Sequence, residues 1–277
     1  MNQATKTFTK FNPKAYFTLI KSSIMEYMQY RMSVVVMLFG NMMYLIIIYN
    51  LWKAIYASVD TPTVNGMTFT DTMIYLVLAS AQFSFMEAYL VWEMGRGIQN
   101  GDIVIQLIKP MSYEMYQLFI IAGGNFFNFV VTFIPTFFIV QIVTDWAIPM
   151  GINLLYYLAA VLLGSMINFA VDYFVGTICL YTHSIWGINI MKEILVTFLS
   201  GATVPLAFFP EVLYRIVMFL PFHAIYNTPL TLLIHNDLPV AEVGRMLLTQ
   251  LVWVVVMFAA ARGFWKVSEK VITVNGG

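Results

Sequence analysis

Long apolar windows follow one another along the chain and predict a membrane protein. A helix needs roughly 20 apolar residues to cross a bilayer core of ~30 Å, and the windows lack the alternation typical of strands. Each window contains at most two charged residues. The six windows are 33–52, 72–92, 115–143, 151–181, 184–209 and 246–261. We therefore expect an all-α polytopic membrane protein with six transmembrane helices.

The lysines and arginines near the window ends predict the orientation of the chain. An even number of spans places both termini on one side, and cytoplasmic connections carry the excess of Lys and Arg. With the termini inside, the cytoplasmic group is Lys6, Lys10, Lys14, Lys21, Arg31, Arg96, Lys109, Arg262, Lys266 and Lys270, and the outer group is Lys53, Arg215 and Arg245. We expect both termini to be cytoplasmic and residues 1–277 to form a single transmembrane domain in the cell membrane.

The segment 1–31 precedes the first window and has an amphipathic pattern. From Pro13 onwards, the apolar residues of one face are Phe17, Ile20, Ile24, Tyr27 and Met28. This spacing predicts an interfacial helix that lies on the inner leaflet. The alternative is a soluble N-terminal turn.

Two connections between windows also have distinctive patterns. The cytoplasmic loop 95–114 contains three glycines, a short apolar stretch and Pro110. In the outer segment 205–238, prolines at 205, 210, 221 and 229 divide an apolar sequence into pieces too short to cross a bilayer. Because broken backbone at membrane depth must be buried in protein or line a cavity, we expect short re-entrant helices there.

Composition excludes several classes of function. The chain is 60% hydrophobic and 10% charged, and 14 basic residues balance 14 acidic ones. Such a surface cannot be that of an ordinary soluble enzyme, and it lacks the basic excess of a nucleic-acid binder. A single cysteine excludes a disulfide framework or a thiolate cluster. There is no G-x-x-x-x-G-K-[ST] loop, and we expect no catalytic residues, no metal site and no cofactor on this chain.

Charged and polar residues within the windows are the candidates for function. Asp172 and Lys192 stand at similar depths on consecutive predicted helices, so we expect them to form an intramembrane ion pair with a structural role. Intramembrane charges are costly and commonly mark pathways or ion pairs. Candidate pathway-lining residues are Glu87, Asn189, Glu193 and Thr197. For the uncharged members, helix–helix association is the alternative.

The arrangement of windows and connections resembles the membrane subunit of a type 2 ABC transporter. Three motifs carry this resemblance: Gly-Asp-Ile-Val-Ile-Gln-Leu-Ile-Lys-Pro at 101–110, Ser-Gly-Ala-Thr-Val-Pro-Leu-Ala-Phe-Phe-Pro-Glu-Val-Leu at 200–213, and Leu-Pro-Phe-His-Ala-Ile-Tyr-Asn-Thr-Pro at 220–229. The resemblance implies a permease that exports a small molecule, lipid or antibiotic.

The resemblance also implies partners and site residues. A coupling helix would dock into a separate ABC ATPase subunit, which binds ATP and Mg²⁺. A second permease, either a related chain or another copy of this one, would complete the pathway. The coupling residues are Ile98, Asp102, Ile103, Ile105, Leu107 and Pro110, and the extracellular cap residues are Pro210, Glu211, Pro221 and Phe222.

Two other classes of function stay open at this point. An ATP-independent channel or accessory subunit would share the same topology but would not bind an ATPase. A membrane-embedded enzyme would need convergent nucleophilic, basic or metal-binding groups, and no such motif is apparent in the sequence.

Overall fold

A computed structural model describes residues 13–87, 89–182, 185–235 and 237–272. Within these ranges the chain is almost entirely helical, with one short β-hairpin. The helices are α1 (Pro13–Gln29), α2 (Arg31–Ala57), α3 (Phe69–Met86), α4 (Leu90–Asn100), α5 (Ile103–Leu107), α6 (Tyr113–Asn128), α7 (Ile134–Val143), α8 (Asn153–Thr182), α9 (Trp186–Leu199), α10 (Glu211–Met218), α11 (Asn227–Ile234) and α12 (Val240–Ser268). The strands are β1 (Thr63–Val64) and β2 (Met67–Thr68).

Among the described residues, five helical segments are long and apolar enough to cross a membrane. They are Met32–Ala57, Phe69–Asn100, Tyr113–Val143, Asn153–Thr182 and Val240–Val271. The second comprises α3 and α4, and the third comprises α6, a π-helical turn at Phe129–Phe133 and α7. The all-α polytopic architecture that the apolar windows predict is therefore present.

The window 184–209 differs from the expected continuous span. Its helix α9 has 14 residues and is about 21 Å long at 1.5 Å per residue. The helix ends because Gly201 adopts a positive φ of 82°, and the Ala202 N–H donates to the Thr197 carbonyl at 3.1 Å. Pro205, which lacks an N–H, follows. The rest of the window is irregular apart from a short 3₁₀ turn at Leu206–Phe208.

The hairpin between α2 and α3 was not expected from the apolar pattern. Asn65 and Gly66 form its turn, and both have positive φ, 49° and 83°. An Asn-Gly pair is the preferred sequence for such a turn, so a signal was available. Thr68 then caps α3: its hydroxyl accepts from the Asp71 N–H, and its own N–H donates to the Asp71 carboxylate, both at 3.1 Å.

Helix α8 lies beside α3 and α4 and runs in the same direction. The Asn168 side-chain amide donates to the Met86 carbonyl at 3.0 Å. Eight residues further along both helices, a Cβ on Gly176 would lie 2.6 Å from the Met94 sulfur. This constant offset shows that the two segments are parallel, and the small residue allows their close approach.

Helix α12 lies on another side of α8 and is also parallel to it. The Gln250 side-chain amide donates to the Ala160 carbonyl at 3.0 Å. Towards the other end of both helices, the rings of Phe264 and Phe174 are 4.9 Å apart. Since both pairs are 90 residues apart in sequence, α8 and α12 keep one register along their length.

Helix α1 packs along α6, in addition to having a face free for lipid. The rings of Tyr16 and Phe119 are 4.6 Å apart. A Cβ on Gly123 would lie 2.6 Å from the Ile20 carbonyl oxygen. The residues expected to face lipid therefore do not all do so. Ile20 contacts α6, whereas Phe17 and Met28 are exposed. Residues 1–12 of the predicted 1–31 segment lie outside the described residues.

Candidate functional site

Lys192 of α9 and Asp172 of α8 lie in contact. The Lys192 Nζ atom is 2.9 Å from Asp172 Oδ1, and the Asp172 side chain is fully buried. Among the described groups, no donor other than Lys192 bonds to either oxygen of this carboxylate. The lysine ammonium therefore supplies the charge that compensates this buried carboxylate.

Asp172 stands level with one edge of the charge-free part of α12. The register between α8 and α12 places Asp172 level with Arg262, whose Nε donates to both carboxylate oxygens of Glu114 at 2.7 and 2.9 Å. Windows 151–181 and 246–261 contain no charged residue between this level and their opposite ends. Asp172 thus lies level with the first charged residue beyond the charge-free part of α12, although α8 continues without charge to Thr182.

The four candidate pathway residues lie around one small cavity. Glu87, at the end of α3, and Asn189, Glu193 and Thr197 of α9 all line it. Lys192 lines the same cavity, so the ion pair lies beside these residues. The side chains of α9 come together because they recur every three or four residues on one helical face.

A larger groove continues from this cavity between α2, α3 and α9. Its volume is 380 Å³. The groove and the small cavity share Phe83, Glu87 and Thr197. The groove is also lined by Met37, Gly40, Asn41, Tyr44, Ser80, Ser84, Ala202 and Thr203.

Sequence reasoning missed the contribution of α2 to this groove. Asn41 hydrogen-bonds with Ser80 of α3, and Gly40 has open space beside it. The signal was an adjacent glycine and amide in a window that otherwise contains large apolar residues. By contrast, large apolar side chains on the remaining faces of α2, among them Val36, Phe39 and Ile47, are exposed.

Several polar residues of the spans hold the helices together. Asn168 donates to α3 as described above, and the buried Gln82 amide donates to the Ile225 carbonyl at 2.9 Å. For these two residues the geometry is that of association between segments. Thr132 instead donates within its own helix, to the Asn128 carbonyl at 2.6 Å.

The loop 95–114 contains a short helix that packs against the rest of the chain. Gly101 ends α4 with a φ of 79°, and α5 follows at once. Ile103 is 2% exposed and belongs to an apolar cluster with Tyr113 and Trp265. In addition, the Gln117 side-chain amide donates to Gln106 of α5 at 3.2 Å.

The predicted coupling residues fall into two groups. Ile103 belongs to an apolar cluster of the chain itself, and Ile98 and Leu107 are partly buried against that cluster. Ile105 is 63% exposed, and Asp102 and Pro110 are also exposed. Ile108, which was not among the predicted coupling residues, is 78% exposed. The free apolar surface lies at the tip of the loop.

The segment 205–238 forms short helices that pack against the spans. Pro210 precedes α10, and Glu211 at its start pairs with Arg215 on the surface. Pro221 is buried and Phe222 is half-buried. This segment is therefore attached to the protein, as its broken backbone requires.

Two glutamines tie the irregular backbone of this segment to the spans. Gln82 bonds the Ile225 carbonyl, and the Gln250 amide donates to the Ala224 carbonyl at 2.7 Å. The nearby His223 ring is buried, with Nδ1 2.7 Å from the Leu220 carbonyl oxygen. Burial lowers the pKa of this imidazole and favours its neutral form.

Comparison with known families agrees with this architecture. The model of a family described as ABC-2 family transporter protein matches residues 42–276, which is most of the chain. No curated protein is similar enough to this chain to match it. The long apolar helices and the family match together show that this chain belongs to the ABC-2 transporter family, as a membrane permease component.

Proposed function

We propose that this chain is the permease subunit of an ATP-driven exporter in the cell membrane, and that it acts on a small molecule, lipid or antibiotic. A separate ABC ATPase subunit would bind ATP and Mg²⁺. The solute path would follow the groove between α2, α3 and α9. A second permease, either a related chain or another copy of this one, would cover part of the exposed surface of α2. Lipid would cover the rest.

The proposed topology has six crossings and cytoplasmic termini. The parallel directions of α8 and α12 support it, because the chain must cross back between them. The contacts of α9 also support this topology: a Cβ on Gly95 would lie 2.6 Å from Ile185, and one on Gly201 would lie 3.0 Å from the Tyr75 hydroxyl. The chain from Ile185 to Gly201 therefore runs in the direction opposite to α3 and α4. At 1.5 Å per residue, its sixteen steps extend over at most about 24 Å, close to the ~30 Å thickness of a bilayer core.

The observation that carries the ATPase proposal is the tip of the 95–114 loop. Its base is held by Ile103 in an apolar cluster, whereas Ile105 and Ile108 project from the chain. A firmly held element that presents exposed apolar side chains is suited to binding a protein and transmitting force from it. Burying each isoleucine against a partner would contribute about 1.5–3 kcal/mol.

The test is the double variant Ile105→Asp with Ile108→Asp. It should insert normally and keep its melting temperature, but it should lose co-purification with the ATPase and lose export. Val271→Asp is the matched control, since Val271 is also exposed beyond the apolar part of α12. Retention of the ATPase and of export in the double variant would refute docking at this loop. Solute flux without any bound ATPase would support an ATP-independent channel instead.

A further inference from the structure

We infer that the groove between α2, α3 and α9 takes amphiphilic organic cations. The apolar tail would lie along the groove, and the positively charged head would lie beside Glu87, where the groove meets the smaller cavity, with Glu193 on the far wall of that cavity. This inference rests on the proposed function, because it names the substrate class of that pathway.

The shape and lining of the groove suit an apolar tail. Its 380 Å³ falls within the ~300–1,000 Å³ typical of small-molecule sites. Met37, Tyr44 and Phe83 supply apolar walls. Gly40 widens it, since a Cβ built on this residue would have no neighbour within 4 Å. Glu87 borders both the groove and the smaller cavity, so a tail in the groove would point its head at this carboxylate.

The charges around the smaller cavity suit a cationic head. Lys192 is paired with the buried Asp172, which leaves Glu87 and Glu193 as the carboxylates on the cavity wall. Among the side chains that the structure describes, neither glutamate has an ion-pair partner within 4.0 Å. An anionic head would add repulsion at this place, whereas a cationic head would compensate the two acids.

Aromatic rings distinguish an organic cation from a metal ion. Phe83, Tyr89, Trp92 and Tyr226 line the same cavity as the two glutamates. The faces of such rings attract ammonium groups that carry apolar substituents. A hard metal ion would instead require about six to eight oxygen ligands. The combination of rings, two carboxylates and an adjoining apolar groove therefore favours an ammonium with a long apolar tail.

The test compares two photo-crosslinking probes with the same dodecyl diazirine tail. One carries a trimethylammonium head and the other a sulfate head. The full chain is reconstituted in lipid nanodiscs, labelled without ATP, and its crosslinked residues are mapped by mass spectrometry. We expect the ammonium probe to label α2 and α3 around Met37 and Ser84 about tenfold more than the sulfate probe.

Two variants test separately how the protein recognises the head and the tail of the probe. Glu87→Gln with Glu193→Gln should reduce labelling by the ammonium probe about tenfold, whereas Glu211→Gln with Glu242→Gln makes the same charge change elsewhere and should not. Gly40→Leu should block the groove, and since its side chain has open space it should still fold. Gly263→Leu is its control, because that position is equally open.

The outcomes distinguish this inference from the proposed function. Equal labelling by both probes, or labelling unaffected by the glutamate and Gly40 variants, would overturn the cation site. If the complex still exports other solutes with ATP, the permease function stands without it. Head-selective labelling in a protein that shows no ATP-dependent export would support the cation site and refute the proposed transporter.

Discussion

A Cβ atom on Gly124 of α6 would lie 2.6 Å from Cε2 of Tyr27 in α1. Real Cβ atoms do not approach a ring so closely, so Gly124 permits α1 to pack against the third span. The ring of Tyr27 continues this contact to Phe127, with centroids 5.8 Å apart. Burial, reinforced by the carboxylate of Glu26, raises the pKa of the Tyr27 phenol and keeps it neutral.

We predict that Gly123→Val displaces α1 from α6, because its Cβ would lie 2.6 Å from the backbone oxygen of Ile20, which cannot rotate away as the neighbouring Tyr27 ring can. Overpacking at such a contact costs about 1–3 kcal/mol, and the melting temperature of the purified protein should fall accordingly. Protease cleavage within α1 should become faster than in the wild type. Gly263→Val is the control, since no atom lies within 4 Å of a Cβ there. Equal melting temperatures for the two variants would show that α1 does not depend on this contact.

We predict that Asp172→Asn destabilises the protein because it leaves the Lys192 ammonium without its partner. Removing one member of a buried pair costs about 3–5 kcal/mol. Thermal unfolding in detergent measures the loss, and the double variant Asp172→Asn with Lys192→Met should recover much of it. If the two substitutions only add their losses, the pair does not stabilise the structure.

Ile103 and Ile105 should respond very differently to the same truncation. Ile103→Ala leaves a cavity in the cluster around Tyr113 and should cost about 2–5 kcal/mol. Ile105→Ala changes an exposed side chain and should alter stability by no more than about 0.5 kcal/mol. Chemical or thermal unfolding of the isolated subunit is the measurement. A large loss for Ile105→Ala would mean that the tip of the loop is buried in the isolated chain.

The six-crossing topology can be tested with single introduced cysteines. Cysteines at Thr63 and Asp237 should react with an impermeant maleimide in intact cells, whereas those at Asn100 and Lys270 should react only after permeabilisation. The native Cys179 is buried and should contribute little background. Labelling of Asp237 and Lys270 from the same side would show that α12 does not cross.

Several features of the fold could be read from local sequence. The apolar windows predict the long helices because each depends on the composition of about twenty consecutive residues. The repeated spacing of Asn189, Glu193 and Thr197 predicts one shared face for the same reason. Asp172 and Lys192 could also be suggested as partners from the sequence. Because a helix rises by a fixed amount per residue, their residue numbers place them at similar depths on consecutive helices.

Other features depend on residues that are distant in sequence. Asn41 contributes to the groove because α2 packs on α3, and no local pattern predicts that contact. By contrast, the end of α9 at Leu199 follows from the local residues Gly201 and Pro205, which a count of apolar residues alone overlooks.

The loop 95–114 illustrates the same division within a few residues. Its glycines and apolar composition indicate a short helix that needs a surface to pack on, and this much follows from local sequence. Which isoleucine is buried depends on where Tyr113, Trp265 and Gln117 lie once the helices have assembled. Hydrophobicity is a property of each residue, whereas burial is a property of its neighbours, and only the tertiary contacts separate Ile103 from Ile105.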